Sequence, residues 1–412
     1  MAPILALALV QVLLSACSTV PPWVVLQGGR SRISDHQHFD NAPIAAAAQA
    51  SALRFEPAEL RWPGNATPEQ AAERLAREGT VALLVVRRGV LVHEQYFNGF
   101  ARDSLGTSFS MAKSVVATLM GIAIAEGRIA SVDDPITRYL PELLGNDPGF
   151  ALITIRHLLA MRSGIVFDEG YASPFAEAAQ FYLGPNIPAQ VAKLRLAGPP
   201  NQAYSYQSGD TQLLAMAIER AMGQPMAALT QSRLWQPMGA QFAASWSLDS
   251  AASGVARAFC CLNARAVDYA RLGLMMLGEG GVPGHYNGTP IVPADWVRQM
   301  TAVQAGLPGK LEADQRNIEE PGTRRMAYYA WQWRRMPVPA AVPAAGVSSP
   351  AHLAAAHSPT VRPPGDDFYA EGLHCQFLYI APASQTVVLR LGKDCGAVNW
   401  PVWMGALARL NP

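Results

Sequence analysis

Segments rich in β-forming residues lie near both ends of this chain and enclose a long helical middle, and this order strongly limits the folds it can adopt. Residues 80–87 and 90–97 are β-rich runs joined at Arg88-Gly89, which is typical of a hairpin. The stretch from about 135 to 300 is mainly helical with Pro and Gly breaks, and β character returns after Tyr328. The pattern predicts an α/β body with an inserted helical region.

Individual elements follow from local patterns. Thr67 is a good N-cap and Pro68 suits a first helical position, so a helix is predicted over 68–77. Ser110 opens a helix to about Ala125 that is apolar nearly all round and is therefore expected to be buried. The other predicted helices are 154–161, 211–222, 264–277 and 401–410, and the later strands are 328–334, 368–370, 376–380 and 386–391.

Composition excludes several functions. Half of the 412 residues are hydrophobic and 15% are charged, so the chain can bury a substantial core as one large domain or two. The net charge of +1 gives no reason to expect nucleic acid as a partner. No Cys/His cluster has zinc spacing, so we predict neither a metal site nor a cofactor.

The first 17 residues read as a targeting segment. The apolar run 4–14 has signal-peptide length and ends in Leu14-Ser15-Ala16-Cys17, which resembles a bacterial lipobox. Cleavage there leaves Cys17 as the lipidated first residue, and Ser18 favours the outer membrane. We predict a lipoprotein anchored on the periplasmic side of the envelope. The alternatives are an ordinary secretory signal and an uncleaved apolar terminus, because no Lys or Arg precedes the apolar run.

The rest of the chain divides by composition. Residues 18–65, rich in Ala, Pro and polar residues, are predicted to be a tether leading into the fold, and 66–412 form the main domain. Within it, 336–366 is dominated by Pro, Ala and small polar residues and is predicted to be a mobile surface insertion. No repeat of solenoid length is present.

Four further cysteines are Cys260, Cys261, Cys375 and Cys395. Export permits disulfides, and the sequence does not choose among the three full pairings. Adjacent cysteines rarely bond each other, which disfavours a bond between Cys260 and Cys261. Free, buried cysteines are the alternative.

A serine and a lysine three residues apart provide the first candidate for chemistry. Only four of the 32 basic residues are lysine, and among these only Lys113 follows a serine by three positions, in Ser110-Met111-Ala112-Lys113. Residues three apart share a helix face, so the Ser110 hydroxyl and the Lys113 amine can meet. Unlike arginine, a buried lysine can lose its proton and activate a weak nucleophile.

Tyr206 is the second candidate. It precedes the helix predicted from Thr211, and near a lysine ammonium its phenolate is favoured. It could then take the serine proton and deliver it to a leaving group. Tyr204 is a competing choice, and a packed structural aromatic is the plain alternative.

A third candidate is the stretch Gly372-Leu373-His374-Cys375-Gln376 before a predicted edge strand. Glycine there lets backbone approach a ligand closely, and an N–H of this stretch with that of Ser110 could form an oxyanion hole. His374 also permits a Ser-His-Asp hypothesis, which is disfavoured because no Gly-x-Ser-x-Gly elbow has a triad-like context. A structural or substrate-contacting role is favoured for His374.

With these residues in place, the chain resembles the serine hydrolases related to class C β-lactamases, penicillin-binding proteins and family VIII carboxylesterases, nearest to the 6-aminohexanoate-dimer hydrolase type. The resemblance implies a β-lactamase-like fold, an antiparallel sheet flanked by helices with an inserted helical region. It covers about 75–410 in the family's order. The stretches that carry it are 108–113, 132–141, 155–164, 206–214, 259–273, 329–333 and 372–382.

The resemblance also implies residue roles. Ser110 is the implied nucleophile, Lys113 its activating partner and Tyr206 the general base and acid, preferred to Tyr204 because of its spacing from Leu213-Leu214. The implied oxyanion hole is the N–H of Ser110 with one near Leu373. Ser208, Gly372 and His374 are predicted to bind substrate. For Trp331, and for Trp333, lining the pocket and plain core packing remain equal alternatives.

Departures from the family pattern bear on the substrate. The Lys-Thr-Gly that grips a carboxylate in β-lactamases is absent, and Ser208 replaces the asparagine of Tyr-x-Asn. Both favour hydrolysis of a small-molecule ester or linear amide over a β-lactam. Cys375 stands where this branch usually has glycine, and its larger side chain could narrow the pocket. The alternatives are a β-lactamase or D-amino-acid peptidase, and a non-catalytic envelope lipoprotein that binds peptidoglycan or a partner.

Overall fold

The computed structural model describes Val24 and residues 30–171, 173–303, 311–314, 325–337 and 364–411. The predicted lipobox with Cys17 lies outside the described residues. Within them, no helix is both long enough and apolar enough to cross a membrane.

One large antiparallel sheet organises the described part of the chain. The strands are β1 (Asn41–Ile44), β2 (Thr80–Arg87), β3 (Val90–Tyr96), β4 (Gly106–Thr107), β5 (Ala244–Ser247), β6 (Leu262–Ala264), β7 (His285–Tyr286), β8 (Thr289–Pro290), β9 (Leu311–Asp314), β10 (Arg325–Tyr329), β11 (Arg334–Pro337), β12 (Pro364–Gly372), β13 (Gln376–Ala381) and β14 (Thr386–Gly392). Eight of them join in the order β3-β2-β14-β13-β12-β11-β10-β9, so strands from both ends of the chain share one sheet. This confirms the predicted fold class.

Helices surround the sheet and fill the middle of the chain. They are α1 (Pro68–Arg77), α2 (Met111–Ala125), α3 (Leu143–Asn146), α4 (Ile155–Leu159), α5 (Glu177–Leu183), α6 (Ile187–Val191), α7 (Ser208–Met222), α8 (Met226–Thr230), α9 (Ala266–Leu277), α10 (Ala294–Thr301) and α11 (Trp400–Leu410). A π-helical turn, Gln231–Trp235, continues α8. The start of α1 forms as predicted, because the Thr67 hydroxyl accepts from the Gln70 N–H at 3.3 Å and the Gln70 side chain accepts from the Thr67 N–H at 3.0 Å.

Strand alternation builds a core on each face of the sheet. In β2, Leu83 and Val85 face one core, where α1 and α11 pack. Leu84 and Val86 face the other core, which contains α2 and α9. Side chains alternate across a strand, so one strand whose residues are nearly all buried serves both cores. Each fully buried Leu or Val contributes roughly 1.5–3 kcal/mol.

Helices α2 and α7 form the central contact of the helical region. α2 is buried from Met111 to Ala123, as its apolar sequence predicts. It packs directly on α7, and Gly121 lets the Trp296 ring approach closely, since an added Cβ would lie 2.1 Å from that ring. The packing of α2 on α7 brings the first turns of these two helices together, so that Lys113 contacts Ser208.

Part of the predicted tether, 18–65, packs on the main domain. Strand β1 pairs with β5 in a small sheet of order β1-β5-β6-β4, and Ile33 and Ile44 are buried. No strand is predicted at 41–44 from the sequence, because Pro and Ala there give little β signal and the partner of Ile44 is Ala244, far along the chain.

Both ends of the predicted insertion, 336–366, lie in β-strands. Met336 and Pro337 belong to β11, and residues 364–366 belong to β12, which pairs with it. Residues 338–363 lie outside the described part of the chain.

Candidate active site

Ser110 lies where strand β4 turns into helix α2. Between them Phe109 has a φ of 45°, a left-handed conformation that is uncommon for a bulky residue. The Ser108 hydroxyl fixes this turn by donating to the carbonyl of Cys260 at 2.9 Å. The turn thus holds Ser110 at the N-cap of α2.

Lys113 is buried in the first turn of α2, with 1% of its surface exposed. Its Nζ lies 3.1 Å from the Ser110 Oγ, 3.1 Å from the Ser208 Oγ and 2.9 Å from the carbonyl oxygen of Phe259. The structure therefore brings together the serine and lysine that sequence spacing predicted to share a helix face.

The environment of Lys113 favours loss of its proton. Burial lowers the pKa of Lys113 to about 8, the nearby Glu169 carboxylate opposes this, and the Arg334 guanidinium adds to it. At pH 8 about half of the amine is then neutral. An amine of this pKa is suited to accept a proton at ordinary pH.

Tyr206 lies beside the Lys113 amine. The centroid of its ring is 5.1 Å from the Lys113 Nζ and 5.3 Å from the Arg334 Cζ. The ring of Tyr204 instead packs on Tyr329, with centroids 5.1 Å apart. Of the two tyrosines that the sequence offered, the structure thus places Tyr206 against the lysine.

Ser208 opens helix α7 and joins Lys113 to a carboxylate. Its Oγ donates to the Glu169 Oε1 at 2.7 Å, and its backbone N–H donates to the Glu169 Oε2 at 2.7 Å. The Tyr171 hydroxyl also donates to the Glu169 Oε1, at 2.5 Å. The Ser208 side chain therefore connects the Glu169 carboxylate to the buried Lys113 amine.

Strand β12 ends against the start of α2. A Cβ added to Gly372 would lie 2.2 Å from the Ser108 carbonyl oxygen and 3.1 Å from the Ser110 nitrogen. The backbone next to Leu373 therefore lies close to the Ser110 N–H, as an oxyanion hole made from these two groups requires. The role of the Leu373 N–H stays a prediction.

The strand after Gly372 corrects one expectation. An edge strand is predicted from the sequence, but β13 lies inside the sheet between β12 and β14. The unpaired strand edge is instead on the other side of β12. There the pairing with β11 stops at Tyr369, so residues 370–372 have no partner in β11. A sequence pattern shows that a strand exists, whereas its neighbours depend on the whole sheet.

His374 and Trp331 are held by other parts of the fold. The His374 Nε2 lies 2.9 Å from the Ser31 carbonyl oxygen, and its ring packs edge-on against Phe109 at 5.3 Å. This gives His374 a structural role, and a contact with substrate stays a prediction. Trp331 and Trp333 are 0% and 1% exposed, and Trp331 packs against Trp296. Both tryptophans therefore pack in the core, and a contact of Trp331 with substrate stays a prediction.

The four described cysteines form two disulfides, Cys260–Cys261 and Cys375–Cys395. The first corrects the expectation that adjacent cysteines stay unbonded. It directly follows Phe259, whose carbonyl holds Lys113, and the second begins three residues after Gly372. Cys260 and Cys261 are chain neighbours, whereas pairing of β13 with β14 brings Cys375 and Cys395 together across 20 residues of chain.

Sequence reasoning missed three charged residues of the site, Glu169, Arg334 and Glu371. Arg334 donates to the Glu371 carboxylate at 2.8 Å, and both side chains are largely buried. None of them stands in a recognisable motif, and their only signal was position in or near stretches that resembled the family. Among the described residues, no group of three or more His, Cys, Asp or Glu side chains could hold a metal ion.

The close approach at Gly372 gives a prediction. Gly372→Ala must push β12 away from Ser108 and Ser110, so we expect kcat/KM for an ester to fall about 100-fold through loss of an oxyanion donor. Gly145→Ala is the matched control, because a Cβ there meets no atom within 4 Å. Rates are measured on protein of verified folding by its melting curve. Unchanged turnover in Gly372→Ala would exclude this strand end from the oxyanion hole.

The fold and the family comparison identify the class of protein to which the chain belongs. Residues 69–391 match the beta-lactamase family model, so the chain belongs to the beta-lactamase family. The resemblance found in the sequence is thereby confirmed.

Particular relatives narrow the comparison. The chain is 31% identical over 245 residues to the 6-aminohexanoate-dimer hydrolase of Paenarthrobacter ureafaciens, covering 56% of this chain and 59% of that protein. It is 29% identical over 219 residues to esterase EstB of Burkholderia gladioli, covering 47% of this chain and 54% of that protein. The matches therefore span little more than half of either relative. By name, one relative is a hydrolase of the 6-aminohexanoate dimer and the other is an esterase.

Solved structures agree on the fold. A candidate 6-aminohexanoate-dimer hydrolase from Bacillus anthracis has a TM-score of 0.71 at 24% identity and covers 92% of this chain and 93% of its own. A class C beta-lactamase has a TM-score of 0.55 at 13% identity and covers 83% of this chain and 92% of its own. At these identities the likeness shows the beta-lactamase-like fold.

Proposed function

We propose that this protein is a serine hydrolase that cleaves an ester or a linear amide through an acyl-enzyme on Ser110. The observation that carries the proposal is the 3.1 Å contact between the Ser110 Oγ and a buried amine whose pKa is lowered to about 8. A serine beside a group that accepts a proton is an activated nucleophile.

The chemistry proceeds in two steps. The Ser110 Oγ attacks the carbonyl carbon, the carbonyl electron pair moves onto oxygen, and Lys113 and Tyr206 share the task of removing the Ser110 proton. Collapse of the tetrahedral intermediate breaks the bond to the leaving group, which receives a proton. Water then attacks the acyl-enzyme, releases the acid and returns the proton to Ser110. Backbone N–H groups near Ser110 and Leu373 stabilise the oxyanion in both steps.

Three features support an ester or amide over a β-lactam. The Lys-Thr-Gly that grips a carboxylate in β-lactamases is absent, and His374, which lies in that region, contacts the Ser31 carbonyl. Arg334 is paired with Glu371 and already has a carboxylate partner inside the protein. The curated relatives are named for amide and ester hydrolysis. A small-molecule ester or linear amide is therefore the proposed substrate class.

We also propose that Cys17 carries a lipid anchor on the periplasmic side of the bacterial envelope. The support is the Leu-Ser-Ala-Cys lipobox alone. Mass spectrometry of protein purified from membranes would show a lipidated N-terminal cysteine, and an intact Met1 would contradict the anchor.

A three-substrate panel tests the proposed reaction. Wild-type protein is incubated with a short-chain p-nitrophenyl ester, a linear dimer of 6-aminohexanoate and a chromogenic cephalosporin. We expect turnover of the ester or the linear amide, with an acyl adduct in the intact mass. Turnover of the cephalosporin alone would favour a β-lactamase. No turnover and no labelling by a serine-reactive probe, from folded protein, would favour a binding lipoprotein.

A further inference from the structure

The hydrogen bonds around Ser208 have a fixed direction. A carboxylate oxygen of Glu169 only accepts, so the single proton of the Ser208 hydroxyl is used in the 2.7 Å bond to the Glu169 Oε1. The Ser208 Oγ can then meet the Lys113 Nζ, 3.1 Å away, only as an acceptor. The backbone N–H of Ser208 donates to the other carboxylate oxygen and holds the two residues in register.

The partners of Lys113 then decide where its lone pair points. The Phe259 carbonyl and the Ser208 Oγ both require an N–H from the amine, at 2.9 and 3.1 Å. A neutral amine has two N–H bonds, and these two acceptors take both of them. Of its three hydrogen-bond partners, only the Ser110 Oγ, 3.1 Å away, is then left for the lone pair. The lone pair of neutral Lys113 is thus directed at the Ser110 hydroxyl.

We propose that Glu169 is a positioning residue for the nucleophile: by holding the Ser208 proton it turns the lone pair of neutral Lys113 toward Ser110, so that Lys113 takes the Ser110 proton during acylation. This rests on the proposed serine-hydrolase function and deepens it. Tyr206 is then left to protonate the leaving group. Glu169 acts through Ser208 and touches no reacting atom.

The charges around the network agree with this direction. Lys113 faces the Glu169 carboxylate, the Arg334 guanidinium and the Tyr206 ring. Glu169 itself accepts a hydrogen bond from the Tyr171 hydroxyl at 2.5 Å. Burial raises the pKa of Asp210 strongly, and Glu169 adds to this. Glu169 therefore stabilises the ammonium form of Lys113 while it orients the neutral form.

A serine-directed probe tests the proposal without a known substrate. A fluorophosphonate reacts when the Ser110 Oγ–P bond forms, the P–F bond breaks with loss of fluoride, and Lys113 receives the serine proton. Labelling rates are measured against pH by intact mass. In wild type we expect the rate to rise through a pH of about 8, the pKa of Lys113.

Glu169→Gln should have two separable effects. The acidic limb of the labelling profile should move to lower pH, because the charge that favours the ammonium is gone. The plateau should fall about tenfold, because Ser208 no longer has one fixed direction. Ser208→Ala should lower the plateau as well, and adding Glu169→Gln to it should lower the plateau little further, since both act through one hydroxyl.

Glu177→Gln is the matched control. Its carboxylate accepts from the Asp168 N–H at 3.0 Å and so supports the same loop, with no bond to Ser208 among the described contacts. Its profile should match wild type. An undiminished plateau or an unmoved acidic limb in Glu169→Gln, or the same changes in Glu177→Gln, would overturn the positioning role while Ser110 labelling still supported the hydrolase. Failure of the folded wild type to label at Ser110 would overturn the hydrolase and this inference together.

Discussion

Ser110→Ala is expected to lose ester turnover by about 10⁴-fold or more, because it removes the proposed nucleophile. The Ser208 hydroxyl also lies 3.1 Å from the Lys113 amine, but it donates its proton to Glu169. The acyl adduct should vanish from the intact mass spectrum. The fold should be retained, since the Ser110 side chain makes no capping bond to α2. Release of p-nitrophenol and adduct mass are recorded for both proteins in parallel.

A second serine variant guards against a general effect of the substitution. Ser384→Ala is the matched control. Ser384 lies in the turn after β13, at the end of that strand far from the site, and its hydroxyl makes a long hydrogen bond of 3.4 Å to the Ala381 carbonyl. It should keep wild-type turnover. If Ser110→Ala retained turnover and adduct, the nucleophile assignment would be wrong.

Lys113→Arg is expected to lower kcat/KM by about 10²- to 10⁴-fold, the usual contribution of a general base. Arginine keeps the positive charge but cannot lose its proton. In wild type, kcat/KM should rise with pH as Lys113 loses its proton around a pH of about 8. The sign follows from the role of the neutral amine: protonated Lys113 has no lone pair for Ser110.

The arginine variant should lose that pH-dependent limb along with the activity. Lys193→Arg is the matched control, because Lys193 lies at the surface and contacts only Gln190 through its amine, at 3.0 Å, among the described residues. It should behave as wild type. Full activity in Lys113→Arg would show that the positive charge alone suffices, and would assign the proton transfer to Tyr206.

Local sequence was sufficient wherever the physical cause was local. The helix 68–77 follows from its own cap and proline, and strand β2 follows from a run of β-forming residues bounded by Gly79 and Arg88. The pairing of Ser110 with Lys113 needed only the three-residue repeat of a helix face. These predictions are confirmed because neighbours in the sequence are neighbours in space.

Features that depend on contacts between distant parts of the chain could not be predicted from local sequence. The edge assignment for β13 failed because the position of a strand in a sheet depends on every other strand. The bond between Cys260 and Cys261 departs from the usual behaviour of adjacent cysteines, which is all that the sequence provided. Strand β1 went unpredicted because its partner β5 is far along the chain.

The sequence by itself determined the fold class, the nucleophile and lysine candidates, and the family, since these rest on periodicity, spacing and the order of motifs. Only the tertiary structure decided which groups surround the lysine. Ser208 is 95 residues from Lys113, and Glu169 is 39 residues from Ser208. Packing of α2 on α7 brings Ser208 to Lys113, and the chain between α4 and α5 brings Glu169 to Ser208. Burial then lowers the pKa of Lys113, which no local pattern encodes.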